Sequence, residues 1–257
     1  MNNTPQAPTA PESPDARWAL VSGGTGAIGT QICAALARQG LRVVALGHPG
    51  EAERLGAWEQ DQADGVRAQT LDVTDAQACA QAVDTLVAAQ GPCAVLVNAA
   101  GITRDATLRK LELEAWREVM ATNLDSVYHL SKPVLPGMLE AGHGRIINIA
   151  SVNGQKGQRG QTNYSAAKAG MHGFTMALAQ EVAHKGITVN TVSPGYIDSP
   201  MIRRVPEAIR EQILSGIPAG RFGNPADVAA CVAFLASPAA AYVTGANLPV
   251  NGGLFMH

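Results

Sequence analysis

The chain has 257 residues, enough for one large α/β domain or two small ones. Its formal net charge of −2 gives no general attraction to nucleic acid or to an anionic membrane, and only 4% of its residues are aromatic. Four scattered cysteines without a CxxC pair, and six histidines without ligand spacing, argue against a disulfide framework and against a metal site. We therefore expect a cytoplasmic protein without metal, nucleic-acid or membrane partners.

The first residues, 1–15, read MNNTPQAPTAPESPD, which is proline-rich and polar. The segment lacks the basic and apolar regions of a signal peptide. It predicts a disordered extension over residues 1–16, followed by a single domain over residues 17–257. No apolar run approaches the ~20 residues that a membrane span needs.

Apolar runs that end in turn residues alternate with segments of helical spacing from residue 18 onward. The predicted strands are Trp18–Ser22, Leu41–Leu46, Gly65–Asp72, Ala94–Asn98, Arg145–Ile149, Ile187–Val192 and Asn247–Val250. The predicted helices are Thr25–Gln39, Ala76–Ala89, Glu112–Met138, Asn163–Lys185, Met201–Ser215 and Pro225–Ala236. Pro133 and Pro136 are expected to bend or break the end of the third helical stretch. This alternation predicts a single doubly wound (Rossmann) α/β domain, a parallel seven-stranded sheet with helices on both faces.

A glycine-rich turn, Ser22-Gly23-Gly24-Thr25-Gly26-Ala27-Ile28-Gly29, joins the first strand to the first helix. Residues without a Cβ let the backbone turn sharply and approach a pyrophosphate closely. The helix that follows offers free N–H groups and a partial positive charge at its N-terminus. The turn therefore indicates a dinucleotide site at this junction.

The end of the second strand indicates which nicotinamide cofactor binds. A carboxylate there would bind the adenosine ribose diol and repel a 2′-phosphate. The strand ends in Gly47-His48-Pro49-Gly50, which favours NADPH, with His48 and Arg54 as the available cations. Glu51 and Glu53 lie beside them, so NADH stays possible, and Arg54 could equally be a solvated helix residue. Asp72, after the third strand, could accept a hydrogen bond from adenine or could cap a turn.

Tyr164 and Lys168 lie four residues apart and so share one face of a helix. A free tyrosine has a pKa of ~10, and we expect the Lys168 ammonium to lower the pKa of Tyr164 and to bond the nicotinamide ribose. Ser151 follows the fifth strand, where its hydroxyl can orient a carbonyl and stabilise a developing oxyanion. Asn123 could hold a water that relays protons to Lys168, or could cap a helix. The group predicts hydride transfer between a nicotinamide cofactor and a carbonyl, with Tyr164 as general acid.

These residues, in this order, resemble the short-chain dehydrogenase/reductase family from about residue 17 to the end of the chain. The family usually has Asn-Asn-Ala-Gly where this chain has Asn98-Ala99-Ala100-Gly101, so one side-chain amide is missing. The resemblance implies catalytic roles for Asn123, Ser151, Tyr164 and Lys168. The predicted cofactor contacts are Gly23, Thr25, Gly26, Ala27, Ile28, Gly29, Gly47, His48, Arg54, Asp72, Val73, Asn98, Ala99, Ala100, Gly101, Tyr164, Lys168, Pro194, Gly195 and Ile197.

Longer segments, among them 101–105, 151–158 and 160–165, are similar to one group of the family, the acetoacetyl-CoA reductases of polyhydroxybutyrate synthesis. The similarity implies an NADPH-dependent homotetramer that reduces acetoacetyl-CoA, or a related 3-oxoacyl thioester, to the (R)-3-hydroxyacyl product. It implies substrate contacts at Asp105, Ser151, Gln158, Gln161, Tyr164 and Tyr196.

Two other functions stay open on the sequence. A 3-oxoacyl-[acyl-carrier-protein] reductase would share the fold and the catalytic residues. A non-catalytic nucleotide-sensing protein would share the fold alone, although such proteins usually lose the tyrosine or the lysine. Basic residues expected near the cleft mouth could grip the phosphates of CoA or could form an ordinary solvated surface. They are Arg104, Arg109, Lys110, Lys156, Arg159, Arg203 and Arg204.

Overall fold

The computed structural model describes residues 17–256, apart from the side chains of residues 200 and 201. The extension predicted over residues 1–16 lies outside the described residues. In this described part of the chain, seven parallel strands form one sheet in the order β3-β2-β1-β4-β5-β6-β7. They are β1 Trp18–Ser22, β2 Arg42–Gly47, β3 Val66–Thr70, β4 Val95–Asn98, β5 Gly144–Ile149, β6 Ile187–Pro194 and β7 Asn247–Val250.

The strand order reverses next to β1. From β1 the chain moves outward to β2 and β3, and then returns to pair β4 with the other side of β1. The register places Ser22 opposite Asn98 at the carboxyl ends of these two strands. The connections leave β1 and β4 in opposite directions, which opens a crevice above these strand ends, where ligands bind in such folds.

The described residues form ten α-helices, and the longer ones cover the two faces of the sheet. They are α1 Ala27–Ala37, α2 Ala52–Gln60, α3 Ala76–Gln90, α4 Leu113–Met120, α5 Ser126–Ala141, α6 Val152–Lys156, α7 Thr162–Val182, α8 Pro200–Arg203, α9 Glu207–Ser215 and α10 Pro225–Ala236. On one face the apolar stripes of α1 and α10 form a buried core, with Ile32 and Val232 at its centre. On the other face α3, α5 and α7 bury side chains such as Val83 and Leu130.

Burial on both faces explains why the inner strands are continuous apolar runs, as in β1, where all five residues are buried. The predicted doubly wound fold is thus confirmed. No helix in the described part of the chain is long and apolar enough to cross a bilayer.

The structure differs from the predicted elements in several places, among them the predicted helix Met201–Ser215, which is divided into α8 and α9, and the short helix α6, which was not predicted. The predicted helical stretch Glu112–Met138 consists of α4, a π-helical turn over Ala121–Asp125, and α5. Pro133 and Pro136 lie inside α5, which continues to Ala141 because its apolar face packs on the sheet and on α3. Helix α2 was not predicted; none of its residues is fully buried, although Trp58 packs against the core on this face of the sheet.

Candidate active site

The glycine-rich turn between β1 and α1 brings backbone close to backbone at the sheet edge. Gly23 has φ of 61°, and a Cβ there would lie 2.9 Å from the Cα of Ala100. A Cβ on Gly29 would lie 2.1 Å from the carbonyl oxygen of Gly23. Only glycine therefore fits either position without movement of the main chain.

The N-terminus of α1 opens toward this turn. Gly26 is its N-cap, no side chain in the described part of the chain caps it, and its first turn carries no acidic residue. Its first N–H groups, in Ala27, Ile28 and Gly29, thus face the turn with the positive end of the helix dipole. The cradle fits the pyrophosphate of a dinucleotide, as the sequence predicts.

The end of β4 is fastened to the glycine-rich turn by Ser22. Its hydroxyl oxygen accepts the backbone N–H groups of Ala99 and Ala100, at 3.1 and 3.2 Å. The segment that lacks the family's usual side-chain amide is therefore held by its main chain. Sequence reasoning did not assign Ser22 a role, although it opens the glycine-rich turn.

The side chain of Asn98 starts a buried polar network. Its amide donates to Asn148 at 2.8 Å, and Asn148 donates to Thr175 on α7 at 2.8 Å. Thr175 is in turn hydrogen-bonded to Thr191 on β6 at 2.8 Å. The network ties the ends of three central strands to the helix that carries Tyr164 and Lys168.

Asn123 lies in the π-helical turn and is fully buried. Its amide accepts the N–H of Ile102 and donates to the C=O of Ile102, both at 2.9 Å. A Cβ on Gly101 would lie 2.6 Å from the Asn123 Oδ1 and 3.5 Å from the Lys168 Nζ. Asn123 and Lys168 therefore both lie beside the position that a side chain on Gly101 would take. The side chain of Asn123 binds the main chain of Ile102 and does not cap a helix. The proton relay through Asn123 stays a prediction.

Ser151, Tyr164 and Lys168 converge at the carboxyl end of β5. The Ser151 Oγ caps α6 by accepting the N–H of Asn153 at 3.1 Å, which leaves the hydroxyl proton free to be donated. The Lys168 Nζ lies 5.7 Å from the centre of the Tyr164 ring and donates to the C=O of Ile149 at 2.8 Å. The three side chains predicted from the sequence thus form one group.

The pKa of Tyr164 is raised, whereas a lowered pKa was expected from the neighbouring Lys168. Burial raises the pKa of Tyr164, and the Asp105 carboxylate adds to this rise, whereas a hydrogen bond with Ser151 opposes it. Lys168 is 3% exposed, and burial lowers its pKa to about 7. Near neutral pH this lysine carries only part of a full charge, so burial of the phenol dominates.

Two of the predicted substrate contacts, Asp105 and Gln161, are joined beside this group. The Gln161 amide donates to both oxygens of Asp105, at 3.0 and 2.9 Å, and accepts the side-chain N–H of Asn153 at 2.9 Å. Asn153 in turn donates its backbone N–H to Ser151. A chain of hydrogen bonds therefore connects Asp105 to the Ser151 hydroxyl. Sequence reasoning missed Asn153, whose signal is its place two residues after Ser151.

The other predicted substrate contacts are placed differently. Burial raises the pKa of Tyr196, and the nearby Asp105 carboxylate adds to the rise, so Tyr196 belongs to the same corner. Gln158 lies on the loop after α6 and accepts a hydrogen bond from Lys156 at 3.1 Å. The structure therefore joins Tyr196, but not Gln158, to Asp105.

The segment after β6 closes the cleft from the side. Pro194 is the last residue of β6, and a Cβ on Gly195 would lie 2.8 Å from the Cα of Asn251. Ile197 is 6% exposed and bridges to Gly223. The close approach of Asn251 explains why position 195 requires glycine. The cofactor contacts predicted in this segment remain predictions.

A cavity of about 430 Å³ lies on the other side of the crevice, beyond the ends of β2 and β3. It collects the predicted residues His48, Asp72 and Val73, and adds Ile102 and Thr122, which were not predicted. The Asp72 carboxylate accepts the hydroxyl and the N–H of Thr74, and these bonds lower the pKa of Asp72. Asp72 therefore caps a turn, which was one of its two predicted roles. Asp72 also lines the cavity, where it could contact an adenine.

Arg54, predicted to contact a 2′-phosphate, is paired with Glu51. The other Glu51 oxygen accepts the hydroxyl of Thr25 in the glycine-rich turn. The ion pair joins residues three apart in sequence, whereas the contact with Thr25 depends on the turn after β2 folding toward the glycine-rich turn.

Several of the basic residues expected near the cleft mouth have acidic or polar partners. Arg104 pairs with Glu118 at 2.7 Å, and Arg203 pairs with Asp198 at 2.9 Å. These contacts favour the solvated-surface alternative for both arginines. No cluster of three or more histidine, cysteine, aspartate or glutamate side chains suited to a metal occurs among the described residues.

Comparison with known proteins places this site among reductases. The family model described as enoyl-(acyl carrier protein) reductase matches residues 24–255. The chain is 54% identical to acetoacetyl-CoA reductase of Allochromatium vinosum over 94% of this chain and 100% of that relative. It is 50% identical to acetoacetyl-CoA reductase of Rhizobium meliloti, over 93% of this chain and 98% of that relative. The 3-oxoacyl-[acyl-carrier-protein] reductase of Pseudomonas aeruginosa is 48% identical, over 93% of this chain and 97% of its own length.

Proposed function

Because the chain belongs to the short-chain dehydrogenase/reductase family, we propose that it reduces acetoacetyl-CoA to (R)-3-hydroxybutyryl-CoA with a nicotinamide cofactor. The observation that carries the proposal is the convergence of Ser151, Tyr164 and Lys168 beside the Asp105–Gln161 pair. The similarity of about half of all residues to acetoacetyl-CoA reductases supports the choice of substrate.

The residues of the site divide the chemistry between them. When bound, the nicotinamide cofactor supplies the hydride that reduces the carbonyl carbon. The Ser151 hydroxyl donates a hydrogen bond to the carbonyl oxygen and stabilises the negative charge that develops there. Tyr164 transfers its phenolic proton to that oxygen. The phenol of Tyr164 is protonated at neutral pH, because the ordinary pKa of a tyrosine, ~10, lies well above 7 and burial raises the pKa of Tyr164 further.

Asp105 and Gln161 act on the substrate side of this group. Their mutual hydrogen bonds fix the Gln161 amide, and Asn153 carries that constraint to the Ser151 hydroxyl. A thioester bound against this chain would therefore have its carbonyl oriented by side chains that already have fixed positions.

The alternative function is reduction of a 3-oxoacyl group on acyl-carrier protein, supported by the 48% identity to the Pseudomonas aeruginosa reductase. The two substrates share the reacting carbonyl and differ in the carrier. A measurement with both carriers therefore separates the two functions, whereas the catalytic residues do not.

The test is to follow nicotinamide absorbance at neutral pH with acetoacetyl-CoA, using NADPH and NADH in parallel. We expect turnover with one of them at the 1–10³ s⁻¹ that is usual for enzymes. The control is the same acyl group on acyl-carrier protein, which should react with a lower kcat/KM. A clear preference for the carrier-protein substrate would replace the proposal with its alternative. Absence of turnover with either cofactor and either carrier would overturn both.

The identity of the cofactor is the open part of the proposal. The sequence predicts NADPH and leaves NADH possible. The residues that decide between them are Thr25, Glu51 and Arg54, because they meet where the adenosine ribose is expected.

We also propose that the enzyme is a cytoplasmic homotetramer. The support for assembly is that α5 and α7 expose the apolar side chains of Tyr128 (49% exposed) and Met176 (52%). Exposed apolar surface on long helices is typical of interfaces between copies. Free Cys33, Cys79 and Cys93, all buried, fit a reducing compartment. Light scattering at micromolar concentration should give four times the mass of the chain, and a monomer mass would contradict the assembly.

A further inference from the structure

Asn153 stands at one end of the hydrogen-bonded chain that leads to Asp105. It is 8% exposed in the first turn of α6, and its backbone N–H donates to the Ser151 Oγ at 3.1 Å. Its side-chain N–H₂ donates to the Gln161 Oε1 at 2.9 Å, and Gln161 donates to both oxygens of Asp105. The side chain of Asn153 is therefore the donor at one end of this chain, and the Asp105 carboxylate is the acceptor at the other end.

The direction of the Gln161 amide depends on these two partners. The two ends of an amide are nearly equal in shape, so the hydrogen-bond partners decide which end points where. A carboxylate can only accept, which requires the N–H₂ of Gln161 to face Asp105. The N–H₂ of Asn153 requires the oxygen of Gln161 on the other side. Both partners thus impose the same direction.

The segment that carries Asp105 is fixed to the start of α7 by two further contacts. The N–H of Ala106 donates to the C=O of Gly160 at 2.9 Å. The side chain of Asn163, which is fully buried, donates to the C=O of Arg104 at 3.0 Å. The two segments therefore cannot separate easily when the glutamine amide between them points the wrong way. A reversed amide would instead displace the Asp105 carboxylate.

The other end of the Asn153 amide is not satisfied. Its Oδ1 is buried and accepts no hydrogen bond from any residue that the structure describes. A buried acceptor without a donor lowers the free energy of unfolding, so an apolar side chain of the same size should stabilise α6 at least as well. The N–H₂ group that reaches Gln161 is thus what this asparagine adds to the site.

We propose that Asn153 is a positioning residue for the reduction: it fixes the direction of the Gln161 amide and so holds the Asp105 carboxylate beside Tyr164, where the acyl group binds. The inference rests on the proposed function in that it concerns the binding of the acetoacetyl group. The backbone N–H of Asn153 serves Ser151 whatever its side chain is. Loss of the side chain should therefore affect KM more than kcat.

The first test is Asn153→Leu, which removes both ends of the amide at a similar side-chain size. It should raise the KM for acetoacetyl-CoA about 3–10-fold, the usual effect of one hydrogen bond, and change kcat less than about 2-fold. The melting temperature should not fall. An asparagine with a merely structural role would show the opposite, a lower melting temperature with an unchanged KM.

Gln155→Met is the matched control for this variant. Gln155 lies on the same short helix, and its Oε1 is also buried without a hydrogen-bond partner among the described residues. It faces a different cavity, which it lines together with His172 and Thr175. Replacing it should therefore leave the KM for acetoacetyl-CoA unchanged.

The second test reverses the polarity of the chain and needs no substrate. Asn153→Asp places a second acceptor against Gln161, whose N–H₂ can face only one carboxylate at a time, and should lower the melting temperature by several degrees. Adding Asp105→Asn supplies an N–H₂ at the other end, so the Gln161 amide can turn round and the melting temperature should rise again. In the otherwise unmodified protein, Asp105→Asn should not raise it.

The rescue must depend on Gln161. If Asp105→Asn raised the melting temperature of Asn153→Asp equally well in a Gln161→Met background, direct repulsion between two carboxylates would explain it, and the inference would fail. An unchanged KM in Asn153→Leu would also overturn the inference, and this variant decides alone if Asn153→Asp does not fold. Absence of turnover in the unmodified protein would contradict the proposed function, whereas the melting experiments would still decide the direction of the Gln161 amide.

Discussion

Replacing Tyr164 with phenylalanine will lower kcat for the reduction of acetoacetyl-CoA by about 10³-fold or more, because it removes the proton that the product oxygen must receive. General acid catalysis commonly contributes 10²–10⁴-fold. The ring is retained, so the stability of the fold and the affinity for the cofactor should change little. Steady-state kinetics, together with a fluorescence titration of the cofactor, measures both effects.

The matched control for this variant is Tyr242→Phe, since Tyr242 is fully exposed. It should keep the unmodified kcat and KM. If Tyr164→Phe kept more than a tenth of the unmodified kcat, another group would have to supply the proton, and the assignment of Tyr164 as general acid would fail. A variant that lost cofactor binding as well would point to a structural role for the hydroxyl.

Replacing Lys168 with methionine will stabilise the fold and at the same time lower kcat by about 10²-fold or more. Burial lowers the pKa of this lysine from 10.5 to about 7, because the ammonium loses its hydration when the protein folds. This loss of hydration lowers the free energy of unfolding. Methionine fills a similar volume and carries no charge. The loss of the hydrogen bond to the C=O of Ile149 offsets part of the gain, and a net gain of about 2–4 kcal/mol is expected at pH 6.

The pH dependence of that gain follows from the direction of the pKa shift. Between pH 7 and pH 10.5 the folded protein binds fewer protons at Lys168 than the unfolded chain does. Burying Lys168 therefore lowers the free energy of unfolding. This decrease has its full size below pH 7 and disappears as the pH rises toward 10.5. Melting temperatures of the two proteins should differ by several degrees at pH 6 and should converge at alkaline pH.

Lys185→Met is the control for this experiment, because Lys185 is exposed at the end of the 3₁₀ turn after α7. It should change neither the melting temperature nor kcat. A lower melting temperature for Lys168→Met at pH 6 would show that the amine stabilises the fold, contrary to the expectation. An unchanged kcat would remove Lys168 from the catalytic group.

The fold was predictable because its signals are local. Strands buried on both faces must be continuous apolar runs, and β1 and β4 are such runs. The spacing of Tyr164 and Lys168 on one helix likewise requires no knowledge of the rest of the chain. The first and last residues of β7 and α10 also agree with the prediction, because they too are marked by local signals in the sequence.

The parts that could not be predicted depend on contacts between distant segments. The pKa of Tyr164 follows from how deeply the phenol is buried, which spacing does not give. The carboxylate beside the glycine-rich turn comes from Glu51, which is distant in sequence from Thr25. The π-helical turn around Asn123 has no periodicity of its own, and α2 has no fully buried residue. Each of these features appears only when the tertiary structure is formed.

The narrow gap at Gly101 also limits how the gene can change. Every other amino acid adds a Cβ, which would lie 2.6 Å from the Asn123 Oδ1. Asn123 cannot retreat easily, because both ends of its amide are bound to Ile102. The codon for Gly101 therefore has no conservative neighbour, and every missense change there displaces the amide that faces Lys168. A lineage that keeps this chemistry is confined to silent changes at that codon, whereas the solvent-facing positions of the neighbouring helices can drift.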